Sequence, residues 1–181
     1  MAVKKQWYDL IAPKMFGEKI VGETTSVDPK YLIGRKIGVS LLDVYKNSQK
    51  FYIRLLFQVE RIDGNKAYTK FVGHEVMRER IYRMVQRHGR RVDCIQNLTT
   101  KDGKEIRIKT VFMLVRRVGA SVKSDTRKFV SGYIENVTKE TNLDELMKMI
   151  LDGYIQDKIR HACSKIYPVG IVEIRKTEIK N

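Results

Sequence analysis

From Phe51 to Val59 every second position is apolar: Phe51, Ile53, Leu55, Phe57 and Val59 face one way, while Arg54, Gln58 and Glu60 face the other. Period two predicts a half-buried strand. Asp63-Gly64 follows, and "NKAYTKFV" (65–72) comes back, so the segment reads as a tight hairpin. The same grammar recurs in "RVDCIQNLTT", Lys101-Asp102-Gly103 and "KEIRIKTVFMLVRR". Shorter strands are predicted at Ile20–Thr25 and Lys36–Leu41, and "VGIVEIRKTEIK" reads as a last strand. Helical spacing takes over in "TNLDELMKMILDGYIQDKIRHACSKIYP". Leu143, Leu146, Met147, Ile150, Tyr154, Ile155, Ile159, Ala162 and Ile166 recur there at three and four. Thr141 or Asn142 is the expected cap, Asp144 and Glu145 fill the first turn, Gly153 kinks or splits the helix, and Tyr167-Pro168 ends it. Asp125–Lys139 is predicted helical as well. The expected fold is α+β: one domain over residues 1–181, with an antiparallel, barrel-like sheet at the centre and about three to four packed helices.

Composition agrees with a globular chain: 43% hydrophobic and 31% charged over 181 residues. The longest purely apolar run, "VFMLV", is far short of a membrane span. The start, broken by Asp9, Pro13 and Lys14, does not read as a secretory signal. Two cysteines make no disulfide framework and match a reducing, cytoplasmic setting. Charge changes the picture most. Thirty-six Lys and Arg against 21 Asp and Glu give a net +15, a self-repulsion that an anionic partner would relieve. Nucleic acid is favoured over a membrane, because no long helix is basic on one face and bulky-apolar on the other.

The stretch "VGHEVMRERIYRMVQRHGRR" tests the alternatives. His-Glu at its start suggests a metal-binding helix, but such a helix needs a second His four residues on, and Arg78 stands there. No metal site is expected, and no cofactor. On helical spacing Met77, Ile81, Met84, Val85 and His88 form one stripe, with Arg80, Arg83 and Arg87 on its flank. Gly89 is the expected C-terminal cap, and Arg90 and Arg91 extend the charge past it. A solvated basic flank complementing the helix dipole accounts for Arg87, Arg90 and Arg91. It leaves Arg80 and Arg83 unpaired by acids on their own side, which favours phosphate contact.

A second basic element, "RRVGASVKSDTRK", sets Arg116, Arg117, Lys123, Arg127 and Lys128 against the single acid Asp125. Read as a loop between strand and helix, it is suited to tracking an RNA backbone. Near the start, Trp7 and Tyr8 beside Lys4 and Lys5 could stack on unpaired bases or pin the terminus to the core. Core packing is the favoured expectation for Trp7. The hydrolase, phosphate-loop and dinucleotide-binding glycine motifs are not found, so no enzyme is expected.

Several segments, in order, resemble one family. They are "KKQWYDLIAPKMF", "GRKIGVSLLDV", "FVGHEVMRERIYRMV", and "ACSKIYP" followed by "IVEIRK". Together they are similar to the small-subunit ribosomal protein S-three-a family of archaea and eukaryotes, also called S-one of the eukaryotic type. The resemblance covers nearly the whole chain. It implies a non-catalytic, rRNA-binding constituent of the cytoplasmic small ribosomal subunit. It further implies a place on the platform near the mRNA exit and the rRNA 3′ end, beside proteins such as S-eleven. The long basic extensions of the eukaryotic relatives are missing, so the chain reads as archaeal-type. A free-standing RNA-binding regulator and an RNA-processing enzyme remain as alternatives from other classes.

Overall fold

The structure, a computed structural model, describes residues 5–45 and 50–180, so Lys4 lies outside the described residues. The chain divides into two compact units, Met1–Glu75 and Val76–Asn181. Among the described residues there are eight strands and five α-helices, so the α+β expectation holds. Two details differ from it. One strand pairing is parallel, and the sheet does not close into a barrel.

The first unit carries β1 (Gln6–Ile11), β2 (Ile20–Ser26), β3 (Lys36–Ser40), the single-turn helix α1 (Leu41–Val44), β4 (Ile53–Asp63) and β5 (Lys66–Val76). Its strands lie in the order β2-β1-β5-β4-β3, with β1 parallel to β5. The hairpin turns at Gly64 with φ +57°, a conformation that glycine adopts without strain. β5 runs four residues past the predicted hairpin, as far as Val76, matching the eleven residues of β4. That lengthening places His74-Glu75 on a strand, not a helix. The alternation of β4 buries Ile53, Leu55, Phe57 and Val59. Phe57 packs with Phe16 and Phe71 at centroid separations of 5.5 and 6.1 Å.

The second unit carries α2 (Arg78–Met84), β6 (Arg90–Thr99), β7 (Glu105–Leu114), α3 (Ala120–Glu140), α4 (Leu143–Asp152), α5 (Tyr154–Cys163) and β8 (Val169–Ile179). β7 lies between β6 and β8, antiparallel to both. α3 packs on β6, and α5 packs on β8, α4 and α3. The core is Ile106, Ile108, Phe112 and Leu114 of β7 against Val130 and Ile134 of α3 and Ile155 and Ile159 of α5, all buried. Gly153, at φ +88°, splits α4 from α5. Asn142 stands at the N-cap of α4 but gives no side-chain cap. Asp102, from the β6–β7 turn, takes that role: its Oδ2 accepts from the Leu143 N–H at 3.0 Å.

Candidate nucleic-acid interface

α2 has only seven residues, too few to hold a helix by its own hydrogen bonds. Burial of Ile81 and Met84 holds one face, and Arg80 holds the other. Its Nε and Nη2 donate to Glu173 Oε1 at 3.4 and 3.2 Å, where Glu173 sits on β8 at 7% exposure. The expectation that Arg80 is unpaired is therefore corrected: its carboxylate comes from 93 residues away, where local charge counting could not find it. Arg83, on the same helix, is exposed.

The predicted helix through His88 stops at Met84, and Val85 is extended. Arg87 and His88 lie in a turn closed by the Gly89 N–H donating to Gln86 O at 3.1 Å. Arg90 and Arg91 open β6 instead of trailing a helix. Sheet pairing explains the difference, because Arg90 lies opposite Leu114 and Arg91 opposite Met113. Gly89 works here as a close-approach residue and not as a helix cap: a Cβ on it would lie 3.0 Å from Leu114 O.

This pairing gathers most of the candidates. β7 ends at Leu114, opposite both Arg90 of β6 and Val169 of β8, and the Val115 N–H donates to Pro168 O at 3.2 Å. Arg116 and Arg117 follow directly. Arg87, Arg90, Arg116 and Arg117 thus share one end of the three-stranded sheet, and all are exposed. Among the described residues none of them, nor Arg83, has a carboxylate within ion-pair distance. From Arg80 to Val92 the chain holds five arginines and no acid.

Arg91 differs, forking onto Asp93 at 3.0 and 2.8 Å. Arg127 joins that place by donating from Nε to Asp93 O at 3.1 Å. The predicted basic loop is mostly helix, since α3 begins at Ala120 and carries Lys123, Arg127 and Lys128. Only Arg116 and Arg117 remain in a loop. The early turns escaped notice because the buried stripe is Thr126, Val130, Ile134 and Thr138, with threonine at both ends. Their hydroxyls donate to Val122 O and Ile134 O at 2.7 Å, which lets them sit in the core.

Lys5, exposed ahead of β1, belongs to the other unit. Trp7 corrects the core-packing expectation: it is 62% exposed, while Tyr8 is 1% exposed. Adjacent strand residues point to opposite faces, so only one of the pair can enter the core. Burial pushes the Cys163 thiol up to about 11, so it stays protonated and inert near neutrality. Among the described residues no group of three His, Cys, Asp or Glu could hold a metal, and no helix is long and apolar enough to cross a membrane. Sequence reasoning passed over Tyr82, Gln86 and Val115, all exposed beside the arginines. The available signal was adjacency, since each directly precedes one.

Residues 2–181 match the model of the ribosomal S3Ae family. Small ribosomal subunit protein eS1 of Desulfurococcus amylolyticus is 37% identical over 175 residues, covering 97% of this chain and 82% of that protein. The proteins of the same name from Methanopyrus kandleri and Aeropyrum pernix are 36% and 35% identical over 179 residues. Each match covers 97% of this chain, with 85% and 84% of the respective relative. The chain belongs to the ribosomal S3Ae family, a family of structural ribosomal proteins and not of enzymes.

Proposed function

We propose that this protein is a structural constituent of the cytoplasmic small ribosomal subunit that binds rRNA through the arginine end of residues 76–181. The observation that carries the reading is the clustering of Arg83, Arg87, Arg90, Arg116 and Arg117, exposed and, among the described residues, free of carboxylate partners. Guanidinium forks bind phosphate oxygens and release counterions, letting RNA segments pack closely. Lys123, Arg127 and Lys128 of α3 extend this surface, and Arg91 contributes the part of its charge that Asp93 leaves over. Arg80 positions α2 through Glu173. Lys4 and Lys5 are proposed as further RNA contacts from their place in the sequence beside Trp7, which is exposed. The family resemblance supports a platform position near the mRNA exit and the rRNA 3′ end, with S-eleven as neighbour and residues 1–181 acting as one ribosomal-protein domain.

Arg83, Arg87 and Arg90 replaced together with Ala should lower the slope of log K against log salt, measured on small-subunit rRNA, by about three units, one per lost phosphate contact. An unchanged slope removes this end from the binding surface. Crosslinking on intact subunits tests the platform position, and crosslinks to the opposite side of the subunit overturn it.

A further inference from the structure

Tyr82 of α2 is a side chain that phosphate binding does not use. It is 68% exposed. Among the described residues its hydroxyl makes no hydrogen bond, and its ring meets neither another ring nor a cation. Two other tyrosines show a different habit: Arg61 lies over the ring of Tyr68 at 4.5 Å and Lys158 over that of Tyr154 at 5.3 Å. Tyr82 has an arginine one turn away on its own helix, yet its face stays open. An open aromatic face beside guanidinium groups is available to a flat ligand.

Helix geometry places the neighbours of this ring. Ile81 and Met84 are buried on one side of α2, and Arg80 is tied to Glu173 at 3.2 Å. At about 100° per residue, the arc left to solvent carries Arg78, Glu79, Tyr82 and Arg83, with Tyr82 between the two arginines. Arg78 precedes it by four residues, which puts their Cβ atoms about 5–6 Å apart on the helix surface. All four are exposed. Among the described residues neither arginine has a carboxylate partner, and Glu79 makes no ion pair. Two buried residues and the Arg80–Glu173 bond fasten the helix, so ring and arginines are presented on a held support.

A flat ring set between two cations matches a nucleobase with a phosphate on either side. In a duplex the bases stack on one another and offer only their edges, so this ring has nothing to take there. An unpaired base offers its face. We infer that Tyr82 is the stacking platform for one unpaired base of the bound RNA, with Arg78 and Arg83 on the flanking phosphates. The inference rests on the RNA-binding reading above. It adds Arg78 as a contact and specifies the kind of RNA taken at α2, a single strand in preference to a continuous helix.

Two probes test it: a single-stranded RNA of about twelve nucleotides containing 2-aminopurine, and the same strand annealed to its complement. On the single strand the wild-type protein should change the 2-aminopurine fluorescence. Tyr82→Ala should remove that change and weaken binding about tenfold, the effect of losing one base–aromatic stack, with the salt slope unaltered. Tyr82→Phe keeps the ring without the hydroxyl and should bind within about twofold of wild type. On the duplex all three proteins should bind alike. Arg78→Ala should lower the single-strand salt slope by about 0.7, the value of one phosphate contact. Tyr82→Gln repeats the test should circular dichroism show Tyr82→Ala unfolded. Equal losses on strand and duplex, or none on either, overturn the platform while leaving phosphate binding intact. A loss in Tyr82→Phe as large as in Tyr82→Ala overturns it too, because the hydroxyl and not the ring would then carry the effect. An unchanged slope in Arg78→Ala removes that arginine from the contact. Absence of salt-dependent binding to both probes sinks the RNA reading, and the platform with it.

Discussion

The two ends of the β6–β7–β8 sheet treat charge in opposite ways. Where β6 begins and β7 ends, Arg87, Arg90, Arg116 and Arg117 are exposed, and among the described residues no carboxylate lies within ion-pair distance of them. Towards the other end, two carboxylates find partners inside the unit. Lys109 and Lys176 lie directly opposite each other on β7 and β8, a repulsive pairing by itself. Glu178 sits between them and takes both ammonium groups, at 3.2 and 2.9 Å. Asp102 of the adjoining turn caps α4. There the lysine pair is compensated by a carboxylate, whereas among the described residues the four arginines at the opposite end have none. A surface that keeps uncompensated like charge is adapted to something outside the molecule.

The comparison breaks most visibly at Arg80, which, like Arg91, is an arginine near the open end that has a carboxylate partner. Arg80→Ala should lower unfolding stability by about 2 kcal/mol, read by urea denaturation. That is below the roughly 3–5 kcal/mol of a fully buried pair, because the guanidinium is partly in water. A loss no larger than that of Arg83→Ala would erase the distinction between structural and outward-facing arginines. At the compensated end, Asp102→Ala should cost about 1 kcal/mol, the usual value of a helix cap, whereas Asn142→Ala should cost nothing measurable. Reversed sensitivities would put the cap back where the sequence suggested it.

Glu178 sharpens the comparison through pH. Hydrogen bonding from Lys176, aided by Lys109, holds its carboxyl below the ordinary 4.5, against a smaller opposing push from burial. A carboxyl whose folded pKa is depressed adds stability that is fully present above its unfolded pKa and is lost as pH falls through the folded value. The wild-type melting temperature should therefore fall more steeply than that of Glu178→Gln as pH drops from about 5 to about 3. Parallel curves would mean that the two lysines gain nothing from the carboxylate. The smallest expected effect is the most informative for function: the Arg83, Arg87 and Arg90 triple alanine variant should keep wild-type stability within about 0.5 kcal/mol. A large loss would show those side chains to be part of the fold.

Much of this was legible in the chain itself. Period two in β4, the Asp63-Gly64 turn, the second hairpin and the split at Gly153 all follow from local chemistry, and local chemistry is what a sequence displays. The misreadings share one cause. α2 stops early because Arg90 must pair with Leu114, Arg80 is neutralised by a residue of the last strand, and α4 is capped from a distant turn. Each depends on a partner supplied by tertiary structure, which periodicity cannot see. Trp7 and Tyr8 are the exception. No strand was predicted over them, so the alternation of β1 that sends Trp7 outward and Tyr8 inward was not in view.

The bond from Arg80 to Glu173 carries a consequence for the order of events during synthesis. Helix α2 emerges from the translating ribosome long before β8, and a seven-residue segment gains little by folding early. Until β8 has been made and laid along β7, Arg80 has no Glu173 to grip. The nascent protein therefore fastens its arginine-bearing end last, and a chain cut short before β8 would display the same arginines on an unfastened segment.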